Sequence, residues 1–261
     1  MPRVPNPSTV RTLGLLKTAR SHRHPPNCRA ACFPFVGDPS AFYVPEGNGV
    51  FASTPATAGP WGPESQHGGP PAALLVRAFE LTEPQQRSRI ARFAMEILRP
   101  VPVAPLTIRA AIVRPGRRVA LLRGVVEAGG QEVLLAHAWR LQVPEEPAVA
   151  VPDAFKVPPI PPPAPMAAWR GAYVDGYMSA IEWRPVAGSL GKPGPGVAWT
   201  RARLPLVAGE ETSPFARAAL VADSGSGVSA SVDFSKWHCI TSTSPSASTA
   251  TRRANGCCWT P

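Results

Sequence analysis

The central part of the sequence contains no cysteine. The five cysteines of the 261-residue chain all lie near its ends, at Cys28, Cys32, Cys239, Cys257 and Cys258. A secreted disulfide framework would distribute its cysteines through the folded part, so the pattern excludes one and favours a reduced, cytoplasmic protein. The spacing of the two N-terminal cysteines and the neighbouring histidines fits no compact zinc finger. No metal or other cofactor is therefore predicted.

Long apolar runs are missing as well. No stretch is long enough to span a bilayer, although 44% of the residues are hydrophobic. The first 40 residues lack the continuous apolar segment of a secretion signal. They are rich in arginine and poor in acids, which leaves a transit peptide as the alternative to a disordered extension over 1–39.

Acidic residues are scarce at both ends, and this accounts for most of the net charge of +10. Residues 1–39 carry a net charge of +5 and residues 238–261 one of +2, so that the body from 40 to 237 keeps only +3. A nucleic-acid groove would belong to the folded body and would be strongly basic. No nucleic-acid partner is therefore expected.

The body contains a helix with an unusual start. In "QHGGPPAALLVRA", residues 66–78, two glycines and two prolines precede a nearly unbroken apolar run. Prolines fit the first turn of a helix, and a helix that is apolar on nearly every face is buried. Four strand-like runs follow between 90 and 143, and turn residues separate the last three. The pattern predicts a first unit over 40–143, an antiparallel sheet wrapped around one central helix.

The same order of elements restarts after a proline-rich segment. Residues 144–168 contain nine prolines and are predicted to be a linker. Two strands follow, "YMSAIEWRPV" and "GVAWTRARLPLV", then a helix over 213–224 with a serine N-cap, then a strand "GVSASVDF". This predicts a second unit over 169–237, which lacks about three strands of the first. Residues 238–261 show no hydrophobic period and are predicted to be an aberrant tail.

Several motifs in this order resemble those of the double-hotdog acyl-CoA thioesterases, the type II acyl-CoA thioesterase-like proteins. The motifs are "GPW" at 59–61, "QHGGPPAALL" at 66–75, "LRPVP" at 98–102, "RPGRR" at 114–118, "WTRARLPLVAGE" at 199–210 and "SPFARAALVADSGSGVSASVDFSKW" at 213–237. The resemblance implies an α+β double hotdog, in which each antiparallel sheet is wrapped around one central helix and the two join into one continuous sheet. The second unit is incomplete here. The resemblance also implies hydrolysis of fatty acyl-CoA to free acid and CoA.

The resemblance also implies a set of catalytic residues. In this family an Asp, a Thr or Ser, and a Gln from the second unit orient and activate the attacking water. The Asp corresponds to Asp223 and the hydroxyl residue to Ser231. The Gln belongs to a late strand that this sequence does not contain. A frame-shifted reading of the coding sequence over 238–261 would supply strands of the expected kind, so a truncated or frame-shifted second unit is the expectation.

His67, Gly68 and Gly69 are the predicted substrate-binding residues. Backbone N–H groups at a helix N-terminus are free donors at the positive end of the helix dipole, and glycine lets a thioester oxygen approach them. Two alternatives stay open. Double-hotdog dehydratases use a His from one unit and an Asp from the other, so His67 and Asp223 are also compatible with a dehydratase of hydroxyacyl thioesters. Without the missing strands, the chain is also compatible with a non-catalytic acyl-CoA-binding remnant.

An incomplete sheet would leave an open edge and exposed apolar surface. Homo-oligomerisation is therefore predicted, with acyl-CoA as the ligand and no membrane span.

Overall fold

The structure is a computed structural model that describes residues 39–145, 157–163, 172–188, 190, 192–230 and 232–233, together with the backbone of two strands at 243–247 and 257–259. The strands are β1 Tyr43–Gly47, β2 Val50–Ser53, β3 Ser88–Ile97, β4 Leu106–Arg114, β5 Val119–Ala128, β6 Gln131–Gln142, β7 Ile181–Ala187, β8 Val197–Ala202, β9 Thr243–Ala247 and β10 Cys257–Trp259. The helices are α1 Gly69–Leu81, α2 Tyr177–Ala180, α3 Pro214–Ala222 and α4 Gly225–Val228, and a 3₁₀ turn covers Pro55–Thr57.

The larger sheet wraps around α1. Its seven strands follow the order β1-β2-β4-β5-β6-β3-β9, and all neighbouring pairs are antiparallel. Strands β3 to β6 are the four runs predicted from the sequence, and α1 carries its prolines in the first turn as predicted. Phe93, Leu122 and Leu134 contribute fully buried side chains to the core of this unit. The prediction of one sheet around one helix is confirmed for the first unit.

Helix α1 is apolar on nearly every face because it is covered on nearly every face. All residues from Gly69 to Val76 are buried, and so is Phe79. The helix packs on β3, β4 and β5 and also on α3. Gly124 of β5 permits the close approach of the sheet, since a β-carbon there would lie 2.8 Å from Phe79 Cζ and 2.9 Å from Leu75 Cδ2.

The smaller sheet has three antiparallel strands in the order β10-β8-β7, and α3 packs on β8. The Oγ atom of Ser213 accepts a hydrogen bond of 3.1 Å from the Ala216 N–H, and Pro214 takes the first helical position. The predicted N-cap of this helix is confirmed. Each sheet packs on one central helix, so the fold is an α+β double hotdog, and among the described strands the second unit has the smaller sheet.

The two central helices lie side by side and run in opposite directions. The first turn of α1 meets the last turn of α3, where a β-carbon on Gly69 would overlap the Leu220 carbonyl oxygen. Near the other end, Arg77 of α1 donates two hydrogen bonds, of 2.6 and 2.8 Å, to the carboxylate of Glu210 just before α3. The beginning of the first unit's helix is thereby placed against the end of the second unit's helix.

Two segments differ from the sequence prediction. Tyr177–Ala180, predicted as the start of a strand, form a helical turn because the Gly176 carbonyl oxygen accepts two N–H hydrogen bonds from it, of 3.2 and 3.1 Å. Gly225–Val228 overlap the strand predicted from "GVSASVDF" and also form a helical turn. There the Ser224 carbonyl oxygen accepts two N–H hydrogen bonds, of 2.9 and 3.0 Å.

Two strands lie within 238–261, the segment without a hydrophobic period. Strand β9 pairs with β3 and extends the larger sheet, whereas β10 pairs with β8. The expected continuous sheet is not seen among the described strands, which form two sheets because β9 pairs only with β3. Most of 1–39 and of 144–168 lies outside the described residues. The unit boundaries stay predictions, as do a cytoplasmic location and self-association.

Replacing Gly124 with alanine is expected to destabilise the protein. The added methyl group overpacks the contact with Phe79 and Leu75 at a cost of about 1–3 kcal/mol. The gain from a less flexible unfolded chain is smaller, about 0.4–1 kcal/mol. Urea denaturation of the variant and of the wild type measures the difference in the free energy of unfolding.

A double variant controls for the cause of that loss. Phe79→Leu makes room for the methyl group, so Gly124→Ala combined with Phe79→Leu should lose less stability than the sum of the single changes, by about 0.5 kcal/mol or more. Strictly additive losses would contradict a steric contact between α1 and Gly124.

Candidate active site

His67 and Asp223 meet where α1 begins and α3 ends. Asp223 directly follows α3, and His67 precedes Gly68, the N-cap of α1. The Nδ1 atom of His67 and the Oδ2 atom of Asp223 are 3.7 Å apart, and the two side chains are only 8% and 10% exposed. This distance is too long for a hydrogen bond. The structure thus brings together one predicted site residue from each unit in a buried contact.

Gly68 and Gly69 allow this contact for a steric reason. A β-carbon on Gly68 would lie 2.7 Å from Asp223 Oδ2, and one on Gly69 would overlap the carbonyl oxygen of Leu220. Both positions are closer than any real β-carbon can come. A larger residue at position 69 would meet the Leu220 backbone and push the start of α1 away from the end of α3, whereas one at position 68 would displace the Asp223 carboxylate.

The backbone amides at the start of α1 are less open than the sequence suggests. The Gly69 N–H donates a hydrogen bond of 3.1 Å to His67 Nδ1, and the next two residues are prolines without an N–H. The N–H of Ala72 donates to the Gly68 carbonyl oxygen at 3.1 Å. Within the described part of the chain, the Gly68 N–H has no acceptor. This amide is therefore a free donor at the buried start of α1.

The Gly69 amide also determines which nitrogen of His67 carries the proton. Because Nδ1 accepts the Gly69 hydrogen bond, the proton of the neutral ring lies on Nε2. Burial lowers the pKa of His67, while the neighbouring Asp223 carboxylate acts in the opposite direction and raises it. The net shift is downward, so the imidazole is neutral near pH 7 and its Nε2–H is a donor.

Asp223 lies in the field of two helix dipoles. A carboxylate after the last residue of α3 is disfavoured by the negative end of its own helix, but its contact with Gly68 places it at the positive end of α1. Such an interaction contributes about 0.3–1 kcal/mol at exposed sites and up to about 2 kcal/mol in partly buried ones. Because the helices run in opposite directions, the positive end of α1 offsets the negative end of α3 at this carboxylate.

Two aromatic rings lie nearly parallel to the His67 ring. The ring of Tyr177, on α2, stacks on it with centroids 3.8 Å apart and planes inclined by 2°. The Trp61 ring lies 6.3 Å away at 14°, and Trp61 is 56% exposed. Trp61 belongs to the "GPW" motif, whereas Tyr177 is missed by the sequence prediction because "YMSAIEWRPV" is typical of a strand.

Ser231, the second predicted catalytic residue, lies outside the described residues. In the part of the chain that the structure describes, no group of three or more His, Cys, Asp or Glu side chains is placed to hold a metal ion. No helix there is long and apolar enough to cross a membrane. A cavity of about 160 Å³ lies at the opposite end of the α1–α3 pair, next to Arg77 and Glu210, and does not include His67 or Asp223.

The lowered pKa of His67 predicts that stability falls in weak acid. The unfolded chain binds the His67 proton more tightly than the folded protein, because its pKa of about 6.5 is unshifted there. The part of the unfolding free energy that depends on neutral His67 is fully present above pH 6.5. It is lost as the pH falls below that value, because the unfolded chain then takes up the proton before the folded protein does. The His67→Asn variant should show a shallower decrease in unfolding free energy between pH 6.5 and pH 5, measured by urea denaturation at each pH. Equal slopes for the variant and the wild type would contradict a buried neutral His67.

Solved structures resemble the chain in fold. A protein from Novosphingobium aromaticivorans that is assigned as a thioesterase is 20% identical, and the match covers 70% of this chain and 71% of that one with a TM-score of 0.52. A conserved protein of unknown function with the hot dog fold, from Alicyclobacillus acidocaldarius, is 20% identical over 68% of this chain and 64% of its own, with a TM-score of 0.49. The acyl-CoA thioesterase II of Mycobacterium marinum is 17% identical over 71% and 66%, with a TM-score of 0.47. The chain thus spans about two thirds of the length of these structures.

Family comparisons match both units in the expected order. The acyl-CoA thioesterase N-terminal domain matches residues 57–141, and the acyl-CoA thioesterase C-terminal domain matches residues 154–259. A search of curated proteins by sequence finds no match. Since the two domain models together match more than half of the chain, the protein belongs to the acyl-CoA thioesterase family.

Proposed function

We propose that the protein hydrolyses fatty acyl-CoA to the free fatty acid and CoA. The observation that carries the proposal is the buried contact of Asp223 with the start of α1, where the Gly68 N–H and the neutral His67 ring are also located. Thioester hydrolysis needs a base for the attacking water and donors for the carbonyl oxygen. Both kinds of group meet at this place, and membership of the family supports thioester chemistry.

In the proposed reaction, a water molecule attacks the carbonyl carbon of the thioester. Asp223 takes a proton from the water as the new C–O bond forms, and the Ser231 hydroxyl helps to hold the water. The Gly68 N–H donates to the carbonyl oxygen as it becomes negatively charged, and His67 lines the thioester end of the site. The tetrahedral intermediate then breaks its C–S bond. The CoA thiolate leaves and takes the proton back from Asp223, so that the carboxyl group returns to its starting form.

A hotdog dehydratase is the second candidate, and one observation favours it. The pairing of His67 from the first unit with Asp223 from the second, at 3.7 Å, is the arrangement that dehydration of a hydroxyacyl thioester uses. One group of the pair would remove the proton next to the carbonyl, and the other would protonate the leaving hydroxyl. The thioesterase is preferred because both family matches are to acyl-CoA thioesterase domains, and because the Nδ1 lone pair of His67 accepts the Gly69 hydrogen bond and is not available to take the proton next to the carbonyl.

Assays of the two products separate the candidates. A thiol reagent detects free CoA from a saturated acyl-CoA, and ultraviolet absorbance detects an enoyl thioester from a 3-hydroxyacyl-CoA. Free CoA without enoyl product supports the proposed hydrolysis. Enoyl product without free CoA supports the dehydratase, and binding of acyl-CoA with neither product supports a non-catalytic protein.

Asp223→Asn is expected to lower kcat/KM for acyl-CoA hydrolysis by a factor of about 10²–10⁴, because the amide cannot accept the proton of the water. The thiol assay measures this loss. Asp175→Asn is the matched control, since Asp175 is an exposed aspartate of the second unit and its change should leave hydrolysis unaltered. Wild-type activity in Asp223→Asn would remove Asp223 from the mechanism.

A further inference from the structure

Tyr177 is held against the first unit although it lies in the second. Its backbone N–H donates a hydrogen bond of 2.8 Å to the Ala58 carbonyl oxygen. The preceding Gly176 lies so close to Ala58 that a β-carbon would come within 2.5 Å of the same oxygen. The Tyr177 side chain is fully buried. Both its backbone and its ring therefore have a defined position relative to the loop that leads to His67.

The two ends of the Tyr177 side chain contact the two members of the candidate site. The ring covers His67 in a nearly parallel stack at 3.8 Å. The hydroxyl donates a hydrogen bond of 3.0 Å to the Leu220 carbonyl oxygen and lies 2.7 Å from Ser224 Oγ. Leu220 and Ser224 lie on either side of Asp223 in the chain, in the segment that ends α3.

The Tyr177 hydroxyl can hold this segment because it stays protonated. A phenol has one proton, and since that proton goes to the Leu220 carbonyl oxygen, Ser224 is the donor in the contact between the two hydroxyls. Burial raises the pKa of Tyr177 well above its usual value, while the Ser224 hydrogen bond opposes the shift. Among the described residues, Asp223 and Tyr177 are the titratable groups that face His67.

The geometry points to Tyr177 as a positioning residue that sets the distance and orientation of His67 relative to Asp223 across the two units. The inference rests on the proposed function for its effect on catalysis. Tyr177 contacts neither the water nor the thioester in the proposed reaction; it acts through the two side chains that do. No motif or spacing in the sequence indicates this role.

The test compares two tyrosines that are both buried and hydrogen-bonded. Tyr177→Phe keeps the stack on His67 and removes the hydroxyl. It should lower kcat for acyl-CoA hydrolysis by roughly tenfold with little change in KM, because small misplacements of catalytic groups reduce the rate of the chemical step. Tyr43→Phe is the matched control, since the hydrogen bond of the buried Tyr43 hydroxyl goes to Gln66 Oε1 at 2.6 Å and not to the segment that ends α3. This control should lose stability and keep the wild-type kcat.

A second readout does not depend on activity. NMR titration of the His67 ring in Tyr177→Leu should show its pKa moving up towards 6.5, because the stacked ring that excludes water is lost, whereas Tyr177→Phe should leave that pKa lowered. An unchanged His67 pKa in Tyr177→Leu would overturn the inference. An unchanged kcat in Tyr177→Phe, or an equal loss in Tyr43→Phe, would also overturn it, provided that Asp223→Asn is inactive.

The two proposals fail in different ways. If the wild type hydrolyses no acyl-CoA, the proposed function fails, and the NMR titration still decides whether Tyr177 positions His67. If the wild type is active and Asp223→Asn is not, while Tyr177→Phe behaves as the wild type does, only the positioning role of Tyr177 fails.

Discussion

The backbone of Gly69 lies directly against the carbonyl oxygen of Leu220, and the candidate site depends on this close approach. Two helices that are covered by sheets on their outer sides can come this close only if their facing residues are small. Gly69 on α1 is such a residue, and both helices carry further small buried residues, Ala72 on α1 and Ala216 and Ala219 on α3. The absence of a side chain at Gly69 therefore has a structural purpose: it lets α1 begin where α3 ends.

The chemistry of the site follows from that placement. The start of α1 supplies a positive dipole end and the Gly68 amide, and the end of α3 supplies Asp223. Burial keeps His67 neutral, and its own neighbour Gly69 determines which nitrogen is protonated. Neither unit contains this combination alone. The site exists only while the two units remain packed against each other, so that stability and activity are linked through a single contact.

The sequence predicts much of the fold because the decisive signals are local. Prolines at the start of α1, the Ser213 cap of α3 and the apolar runs of β3 to β6 each act within a few residues, and the structure contains all of them. His67 and Asp223 are also predicted as site residues from their motifs, and the structure places them 3.7 Å apart. Their distance is not predictable, because it depends on contacts between residues far apart in the chain.

The segments that differ from the sequence prediction also do so because of contacts between residues far apart in the chain. The segment "YMSAIEWRPV" alternates as a strand does, but docking of Gly176 against Ala58 turns its first residues into a helical turn. The sequence likewise predicts that the backbone N–H groups of Gly68 and Gly69 are both free to donate hydrogen bonds to a ligand. In the structure, the Gly69 amide is bound to His67 and the glycines serve the helix contact. Local pattern identifies such residues, but only tertiary packing determines what they contact.

The measurement that tests this account most directly is kcat/KM for acyl-CoA hydrolysis in Gly69→Ala, with circular dichroism to verify folding. The added methyl group must displace the start of α1 from Leu220, so kcat/KM should fall by about 10²-fold. Gly130→Ala is the control: its φ of +77° makes alanine costly for stability, but no atom lies within 4 Å of the added methyl group in this β5–β6 turn, so the folded variant should keep the wild-type kcat/KM. A folded Gly69→Ala variant with wild-type kcat/KM would contradict the claim that this helix contact builds the site.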